Sequence, residues 1–145
     1  MSDERDVSLV LRRLVRASPA RVFEAWTRPD ELARWWGPNG VTCVGAEVDL
    51  RVGGGYRIGN QLPDGKVLWI VGVFELIEAP HKLVYSWRLE PGPDTRERVT
   101  VQFEPRAGGT EVVVTHERIA NAPLRDQHEQ GWHGCLDGLA RLLGD

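Results

Sequence analysis

The order of segments along the chain constrains its fold more than any other feature. Ser18 followed by Pro19 is typical of a helix N-terminus, with the serine as N-cap and the proline in the first turn. Pro29 restarts a second short helix. From Val41 onward the apolar period changes to two, until an amphipathic helix begins near Pro123. The sequence therefore predicts one strand, two short helices, a run of strands and a long closing helix.

The predicted strands differ in how clearly they show a buried face. Residues 7–15 and 67–77 are apolar at both parities. The second segment is therefore predicted to be a long central strand, and the pattern does not decide which of its residues face the core. Within 41–52 the even-numbered positions are mostly apolar, which predicts that they face the core. Asp49 and Arg51 then lie on the outer face and pair there. With the opposite parity, they enter the interior as a buried charged pair.

Glycine clusters in the sequence are interpreted as turns. Gly53-Gly54-Gly55 lies between two strands and matches neither glycine pattern of phosphate-binding loops, so we predict a bulge or a tight turn. The segment 37–40 is predicted to end the second short helix in a turn. The segment 63–65, Pro-Asp-Gly, is predicted to close a hairpin.

Size and charge limit the kinds of protein that this chain can be. Its 145 residues, 41% of them hydrophobic, are expected to form a single domain over residues 1–145, with a core spanning 7–143. A net charge of −3 argues against a nucleic-acid partner, which needs a basic face. No apolar run reaches the roughly 18 residues of a membrane span, and the charged N-terminus lacks an apolar signal segment. We therefore expect a cytoplasmic protein with no membrane span.

An ordered set of motifs runs through nearly the whole chain, from Val7 to Leu143. In this order the motifs resemble those of the Aha1-C-like branch (activator of Hsp90 ATPase homologue) of the START-like superfamily, also called SRPBCC. The motifs that carry the resemblance are residues 18–26, 35–38, 49–54, 72–75, 109–116 and the pair Gly131-Trp132.

The resemblance implies an α+β helix-grip fold of the START/Bet v 1-like kind. In this fold a curved antiparallel β-sheet is wrapped around a long C-terminal α-helix, and two short helices follow strand 1. The resemblance also implies a cavity between helix and sheet, which in relatives holds an apolar or aromatic small molecule. Superfamily members include lipid and hormone carriers and polyketide cyclases, and the branch is named after a co-chaperone of Hsp90. A chaperone partner and a role in the stress response are therefore among the implied functions.

The periodicity of strands and helix selects side chains that are expected to line such a cavity. The closing helix is predicted to bury a stripe made of Leu124, His128, Trp132, Cys135 or Leu136, Leu139 and Leu143. Inward-facing strand positions add aromatic rings and a histidine, which gives the apolar lining with polar tips that is common in ligand cavities. The alternative is a filled core in which the rings only pack. The predicted ligand-binding residues are Trp36, Tyr85, Trp87, Phe103, His116, His128, Trp132 and Cys135.

Two adjacent aromatic residues, Trp35 and Trp36, are expected to have different roles. Neighbouring helical positions point about 100° apart, so one ring is predicted to pack in the core and the other to be partly exposed at the cavity rim. An exposed ring at this place is also a patch through which a protein partner, or a second copy of the chain, could bind.

The spacing of reactive side chains does not favour covalent or metal chemistry. Cys135 and His128 are seven residues apart on one helix, which places their backbones about 10 Å apart, out of hydrogen-bond contact. His116, from the sheet, could approach the thiol instead. Cys43 and Cys135 form no CxxC pair and are expected to be reduced. The histidines match neither HxxxH nor HExxH, so we predict no metal and no cofactor.

Three functions remain open from the sequence. Non-covalent binding of a small apolar or aromatic molecule is the leading prediction, and catalysis is less favoured. A cyclase- or hydrolase-type enzyme needs His116 or His128 as an acid–base group within a polar cluster. A chaperone-associated interaction module needs an exposed apolar patch, and a homodimer through the same patch is also open.

Overall fold

The computed structural model describes residues 7–37 and 40–144. The charged N-terminal residues and the Pro38-Asn39 part of the predicted turn lie outside the described residues. In chain order the elements are β1 (Val7–Val15), α1 (Pro19–Thr27), α2 (Pro29–Trp35), β2 (Thr42–Val48), β3 (Gly55–Gln61), β4 (Val67–Glu78), β5 (Lys82–Glu90), β6 (Glu97–Arg106), β7 (Gly109–Ile119) and α3 (Ala122–Leu142).

The first and last helices begin at capping side chains. Ser18 Oγ accepts a hydrogen bond from the backbone nitrogen of Arg21 over 3.2 Å, and Pro19 is in the first turn of α1. Asn121 Oδ1 accepts one from the backbone nitrogen of Leu124 over 2.9 Å, at the start of α3. Both caps satisfy N–H groups that have no partner inside the helix, so the local sequence fixes where these helices begin.

The strands form one antiparallel sheet in the order β1-β7-β6-β5-β4-β3-β2. Because β1 lies at one edge and β2 at the other, α1 and α2 carry the chain from one side of the sheet to the opposite side. α3 packs against β1, β7 and α2. The sheet curves around α3, which confirms the predicted helix-grip architecture.

The inner face of α3 follows the predicted stripe. Burying a large apolar side chain contributes roughly 1.5–3 kcal/mol, so this face contributes much of the attachment of α3 to the sheet. α3 has 21 residues, yet none of the described helices has the length and apolar character that a membrane crossing requires. The buried members of the stripe are Trp132, Cys135, Leu136 and Leu139, and the half-buried members are Leu124, His128 and Leu143.

The prediction that even-numbered residues of 42–52 face the core is wrong for Thr42 and Val44, at the start of β2, and is confirmed for Ala46 and Val48, which pack against the core. The register of β2 against β3 shifts after Cys43, and a bulge of this kind changes the face that the following residues present. Val44 is consequently 48% exposed, whereas Cys43 is half-buried against the core. The strand ends at Val48, so alternation no longer applies to Leu50, which is exposed.

The chain between β2 and β3 forms the tight turn that its glycines predict. Gly53 has φ +86°, a conformation that favours glycine, and a Cβ atom on Gly54 would collide with the carbonyl oxygen of Asp49. Arg51 Nε binds Asp49 Oδ2 at 2.9 Å, with both side chains exposed. The predicted surface pairing is therefore confirmed, although the pair lies in the turn and not on a strand face.

Candidate functional site

A buried carboxylate lies on the inner side of the sheet, where β6 begins. Glu97 is 3% exposed and continues the inward alternation of Val99, Val101 and Phe103, all of which are buried. The preceding residue, Arg96, has φ +56°, in the left-handed region that side chains rarely adopt. Its backbone nitrogen donates to Asp94 Oδ1 over 3.0 Å. This strained turn leads the chain into β6 with Glu97 facing the interior.

Glu97 binds one histidine from the sheet and one from the closing helix. Its Oε1 atom accepts from Nε2 of His116 on β7 over 2.9 Å and from Nε2 of His128 on α3 over 2.8 Å. Its Oε2 atom accepts from Oγ1 of Thr95 over 2.6 Å. Since an ionised carboxylate only accepts hydrogen bonds, both imidazoles must carry a hydrogen on Nε2. Glu97 therefore connects β6, β7 and α3 through one oxygen atom.

Trp132 fixes the hydrogen positions on His116. Its indole Nε1 donates to His116 Nδ1 over 3.0 Å, and an indole nitrogen can only donate. His116 Nδ1 is therefore the acceptor and Nε2 carries the hydrogen, which makes the ring neutral. Both of its nitrogens have partners, and the side chain is fully buried.

Aromatic contacts hold the two histidine rings in place. The rings of His116 and His128 stack with their centroids 4.5 Å apart and an interplanar angle of 16°. The indole of Trp87 lies edge-on to both, with centroid distances of 4.9 Å to His116 and 4.8 Å to His128. Packing on two sides leaves His128 little freedom to rotate away from Glu97.

The hydrogen bonds keep Glu97 ionised in spite of its burial. Burial raises the pKa of the Glu97 carboxyl, but hydrogen bonds from His116, His128 and Thr95 outweigh it and lower the pKa from 4.5 to about 2. Burial also lowers the pKa of His116 below its ordinary value of 6.5, against the opposing effect of its bond to Glu97. At neutral pH the interior therefore contains a carboxylate and a neutral His116.

The same three residues have the side chains of a metal site but not its hydrogen bonding. Glu97, His116 and His128 have potential ligand atoms within 4.8 Å of one another. A histidine that binds a metal donates the hydrogen of its other nitrogen to a carboxylate, a carbonyl or water. On His116 that other nitrogen accepts from Trp132, so the hydrogen sits on Nε2, the atom that would face the metal. The hydrogen bonding fits a carboxylate bridging two imidazole N–H groups, and it does not fit a metal centre.

A cavity of about 170 Å³ opens between α3 and the sheet beside this cluster. A second cavity, of about 20 Å³, shares the walls formed by Trp36, Ile70 and Trp87 with the first. We call the larger one the mouth cavity. Its walls are mainly apolar, and its lining residues are Trp36, Val41, Asn60, Leu62, Leu68, Ile70, Trp87, Leu89, Gln127, His128, Gly131, Trp132 and Cys135.

The structure brings most of the predicted site residues together, but not all of them. Tyr85 lines the smaller cavity only. His116 lies behind His128 and lines neither cavity. Phe103 packs in the core against Phe23, at a centroid distance of 5.6 Å. The predicted residues at the mouth cavity are Trp36, Trp87, His128, Trp132 and Cys135.

The prediction that one of Trp35 and Trp36 is partly exposed is wrong. Trp35 is 3% exposed and donates through Nε1 to the carbonyl oxygen of Ala25, while Trp36 is 8% exposed and donates to Asn60 Oδ1 over 3.0 Å. α2 ends at Trp35, and Trp36 has extended backbone angles. The helical angle between neighbours therefore does not apply, and both rings turn inward. The exposed aromatic patch expected for a protein partner is absent at this position.

Two residues of the candidate site were not recognised in the sequence. Glu97 could have been found, because the alternation that places Val99 and Phe103 inside extends back to residue 97. Asn60 is buried at the mouth cavity, where it accepts from Trp36. It could have been found in the same way as Glu97, because the alternation that places Tyr56 and Ile58 inside extends to residue 60.

Cys135 is not an activated thiol. Burial raises its pKa from 9.0 to about 12, so the thiolate needed for nucleophilic attack is scarce at neutral pH. His128 Nε2 is occupied by Glu97, which removes the nearest helical base from consideration. The thiol contributes apolar surface to the wall of the mouth cavity.

A curved antiparallel sheet closed over one long helix, with two short helices after the first strand, defines the helix-grip class of proteins. The family model described as activator of Hsp90 ATPase homolog 1-like protein matches residues 16–144. The chain belongs to this family, and with it to the START/SRPBCC-like superfamily, as the sequence motifs predicted.

Solved structures of bacterial proteins are similar over almost the whole chain. A protein from Chromobacterium violaceum is 27% identical, with a TM-score of 0.86 over 95% of this chain and 97% of that chain. An AHSA1-like protein from Aeromonas hydrophila is 30% identical, with a TM-score of 0.79 over 93% and 90% of the two chains. A protein from Rhizobium leguminosarum is 27% identical, with a TM-score of 0.79 over 94% and 93%. No curated protein sequence matches this chain significantly.

Proposed function

We propose that the protein binds a small aromatic molecule, non-covalently, in the mouth cavity. The observation that carries the proposal is the wall of three indoles, Trp36, Trp87 and Trp132, around an opening of about 170 Å³. Apolar burial against these rings contributes affinity at about 25 cal/mol per Å². His128 and Asn60 lie at the same walls and supply the few polar groups that orient a ligand.

The size of the mouth cavity limits the ligand to about one ring. A dry cavity of about 150 Å³ holds a benzene molecule, whereas sites for drug-sized ligands enclose roughly 300–1,000 Å³. At about 170 Å³, the mouth cavity accommodates a single substituted ring. A fused-ring steroid or a long acyl chain exceeds this volume.

The proposal is tested by NMR titration of the wild-type protein with toluene. The indole N–H signals of Trp36 and Trp132 are expected to shift with a saturable dependence on toluene concentration. Trp69 lines neither cavity. Its ring lies under the guanidinium of Arg57, at 4.2 Å from the ring centroid. Its signal is therefore the internal control. Equal shifts at all indoles, or none, contradict binding at the mouth cavity.

A variant that fills the mouth cavity tests the same proposal without any assignment of the NMR signals. Gly131 lines the mouth cavity, and a Cβ added there meets no atom within 4 Å, so Gly131→Leu places a side chain in open space. We expect this variant to fold and to lose toluene binding by tenfold or more. Gln130→Leu, an exposed neighbour on the same helix, is the matched control and keeps wild-type affinity.

A second candidate function is acid–base catalysis by His128. The observation in its favour is the orientation of His128 by Glu97 at a cavity wall, an arrangement that resembles the base and its orienting carboxylate in hydrolases. His116 does not suit this role, because both of its nitrogens have partners. Hydrolysis of an aryl ester that disappears in His128→Gln, but not in His133→Gln, supports catalysis. No hydrolysis above the buffer rate by the wild-type protein counts against it.

A further inference from the structure

One buried donor at the mouth cavity has no partner. Trp87 Nε1 is inaccessible to solvent and makes no hydrogen bond with any part of the chain that the structure describes. An indole nitrogen can only donate, so this group needs an acceptor that the protein itself does not supply. Buried polar groups without a protein partner are rare in native proteins, and many of them bind a ligand or an ordered water instead. The indole lines both the mouth cavity and the smaller cavity beside it.

An acceptor with no partner lies on the adjacent ring. His128 uses Nε2 to donate to Glu97, so in the neutral form of its imidazole Nδ1 is an acceptor. Among residues 7–37 and 40–144, no hydrogen bond is made to this Nδ1 atom. The rings of Trp87 and His128 are 4.8 Å apart and inclined at 70°. One donor and one acceptor therefore belong to neighbouring rings at the wall of a single cavity.

A hydroxyl group is the simplest chemical group that satisfies both atoms. Its oxygen accepts from Trp87 Nε1 while its hydrogen is donated to His128 Nδ1. A carbonyl or an ether oxygen can only accept, so it leaves the imidazole unpaired. A carboxylate also only accepts, and it adds a negative charge near Glu97, which is ionised at neutral pH.

We propose that the mouth cavity is specific for single-ring phenols, with the phenolic oxygen bound between Trp87 Nε1 and His128 Nδ1. This inference rests on the proposed function, since it assigns a polar end to the same cavity. The three indoles contact the ring, and the hydroxyl group decides between ligands of similar shape. Sites that hydrogen-bond a ligand hydroxyl discriminate strongly against analogues that lack it, because their own polar groups are then left unpaired.

The test compares four ligands of similar size on the wild-type protein: phenol, anisole, toluene and benzoate. We expect phenol to bind at least tenfold more tightly than anisole and toluene, and benzoate to bind most weakly. Phenol is the more water-soluble of the first three, so apolar transfer alone predicts the opposite order. Equal affinities for phenol, anisole and toluene overturn the phenol proposal but leave aromatic binding intact. If none of the four binds, both proposals fail.

Variants identify the atoms involved. Trp87→Phe keeps an aromatic ring but removes the N–H group, and we expect the ratio of phenol affinity to anisole affinity to fall tenfold, to about one. Trp69→Phe, away from both cavities, is the matched control. His128→Phe is expected to have the same effect on this ratio, and His133→Phe, on the exposed side of α3, is its control. A phenol preference that survives Trp87→Phe contradicts the proposed geometry.

A spectroscopic measurement keeps the inference testable if these variants do not fold. In the wild-type protein, the N–H proton of Trp87 is expected to shift downfield on saturation with phenol, because it gains an acceptor. With toluene this downfield shift is expected to be absent. An identical signal with both ligands shows that the phenolic oxygen does not accept from Trp87 Nε1, and this outcome overturns the proposal.

Discussion

The indole nitrogen of Trp132 donates a hydrogen bond to Nδ1 of His116 over 3.0 Å. This contact joins α3 to β7. Because Nδ1 accepts from Trp132, the one N–H hydrogen of the neutral imidazole is on Nε2, which donates to Glu97. A side chain of the closing helix thereby determines the tautomer of a histidine on the sheet. The hydrogen bonds between Glu97, His116 and Trp132 therefore form only when α3 is packed on the sheet. Changes to these side chains are expected to alter both the stability of the protein and its dependence on pH.

Removing the indole donor is expected to destabilise the protein. Trp132→Phe keeps a ring in place but leaves His116 Nδ1 buried without a partner, which costs roughly 1–3 kcal/mol. Urea unfolding followed by circular dichroism measures the free energy of unfolding. Trp69→Phe, on a half-buried ring outside the cluster, is the control and is expected to cost less. Equal losses in the two variants contradict a specific role for the bond.

Divalent zinc is expected not to stabilise the protein. Binding through His116 Nε2 requires a hydrogen on Nδ1, where Trp132 already donates, so metal binding has to break that contact. Thermal unfolding with and without one equivalent of Zn²⁺ is the measurement, and we expect the two Tm values to agree. A rise in Tm that is lost in His116→Gln shows instead that the cluster is a metal site.

Acid is expected to weaken the fold through Glu97 and His116 together. The pKa of Glu97 is lowered from 4.5 to about 2, so its contribution is complete above pH 4.5 and is lost as the pH falls towards 2. The pKa of His116 is lowered below 6.5, so its contribution is also lost as the pH falls below that value. For Glu97 the loss is on the order of 3 kcal/mol.

Urea unfolding at pH 7, 5 and 3 measures this dependence. Glu97→Gln is expected to be less stable than the wild type at pH 7 and to show a shallower decline between pH 5 and pH 3. Glu78→Gln, at an exposed glutamate, is the matched control and should follow the wild-type curve. A Glu97→Gln curve parallel to that of the wild type is inconsistent with a depressed pKa at this carboxyl.

Two glycines of α3 are expected to respond in opposite directions to the same substitution. A Cβ on Gly138 collides with the backbone oxygen of Trp35, so Gly138→Ala forces α3 away from α2. A Cβ on Gly131 meets no atom within 4 Å, and Gly131→Ala gains roughly 0.5–1 kcal/mol from helix propensity. Thermal unfolding of the pair checks this prediction, and stabilisation by both changes is the result that contradicts it.

Local signals predicted where the helices begin, and the ordered motifs implied the fold through the family resemblance, but neither predicted every buried face. Ser18 and Asn121 cap helix starts through contacts with residues three positions away. The local sequence is therefore enough to predict where these helices begin. Which residues of β2 face the core depends on a register shift against β3. The alternation of apolar residues around Val44 does not reveal that shift. The inward turn of Trp36 likewise depends on where α2 ends.

The candidate site was only partly accessible to sequence reasoning, because it is built from distant segments. Glu97 lies 31 positions from His128 and 19 from His116, so no motif spacing connects them. Alternation still predicted the inward direction of His116, and helical spacing predicted that of His128. Alternation in β6 also places Glu97 on the inner face, but it does not reveal that Glu97 joins the two histidines, because that contact depends on how the sheet and α3 pack.

The position of α3 after all seven strands in the chain has a consequence for biosynthesis. A ribosome completes the whole sheet before it begins the helix that covers the sheet's inner face. Until α3 emerges, apolar side chains such as Val101 and Phe103 remain open to water and to other nascent chains, which is the condition that favours aggregation. The interval between completing β7 and releasing α3 therefore adds a period of aggregation-prone exposure during synthesis, which refolding of the finished chain does not report.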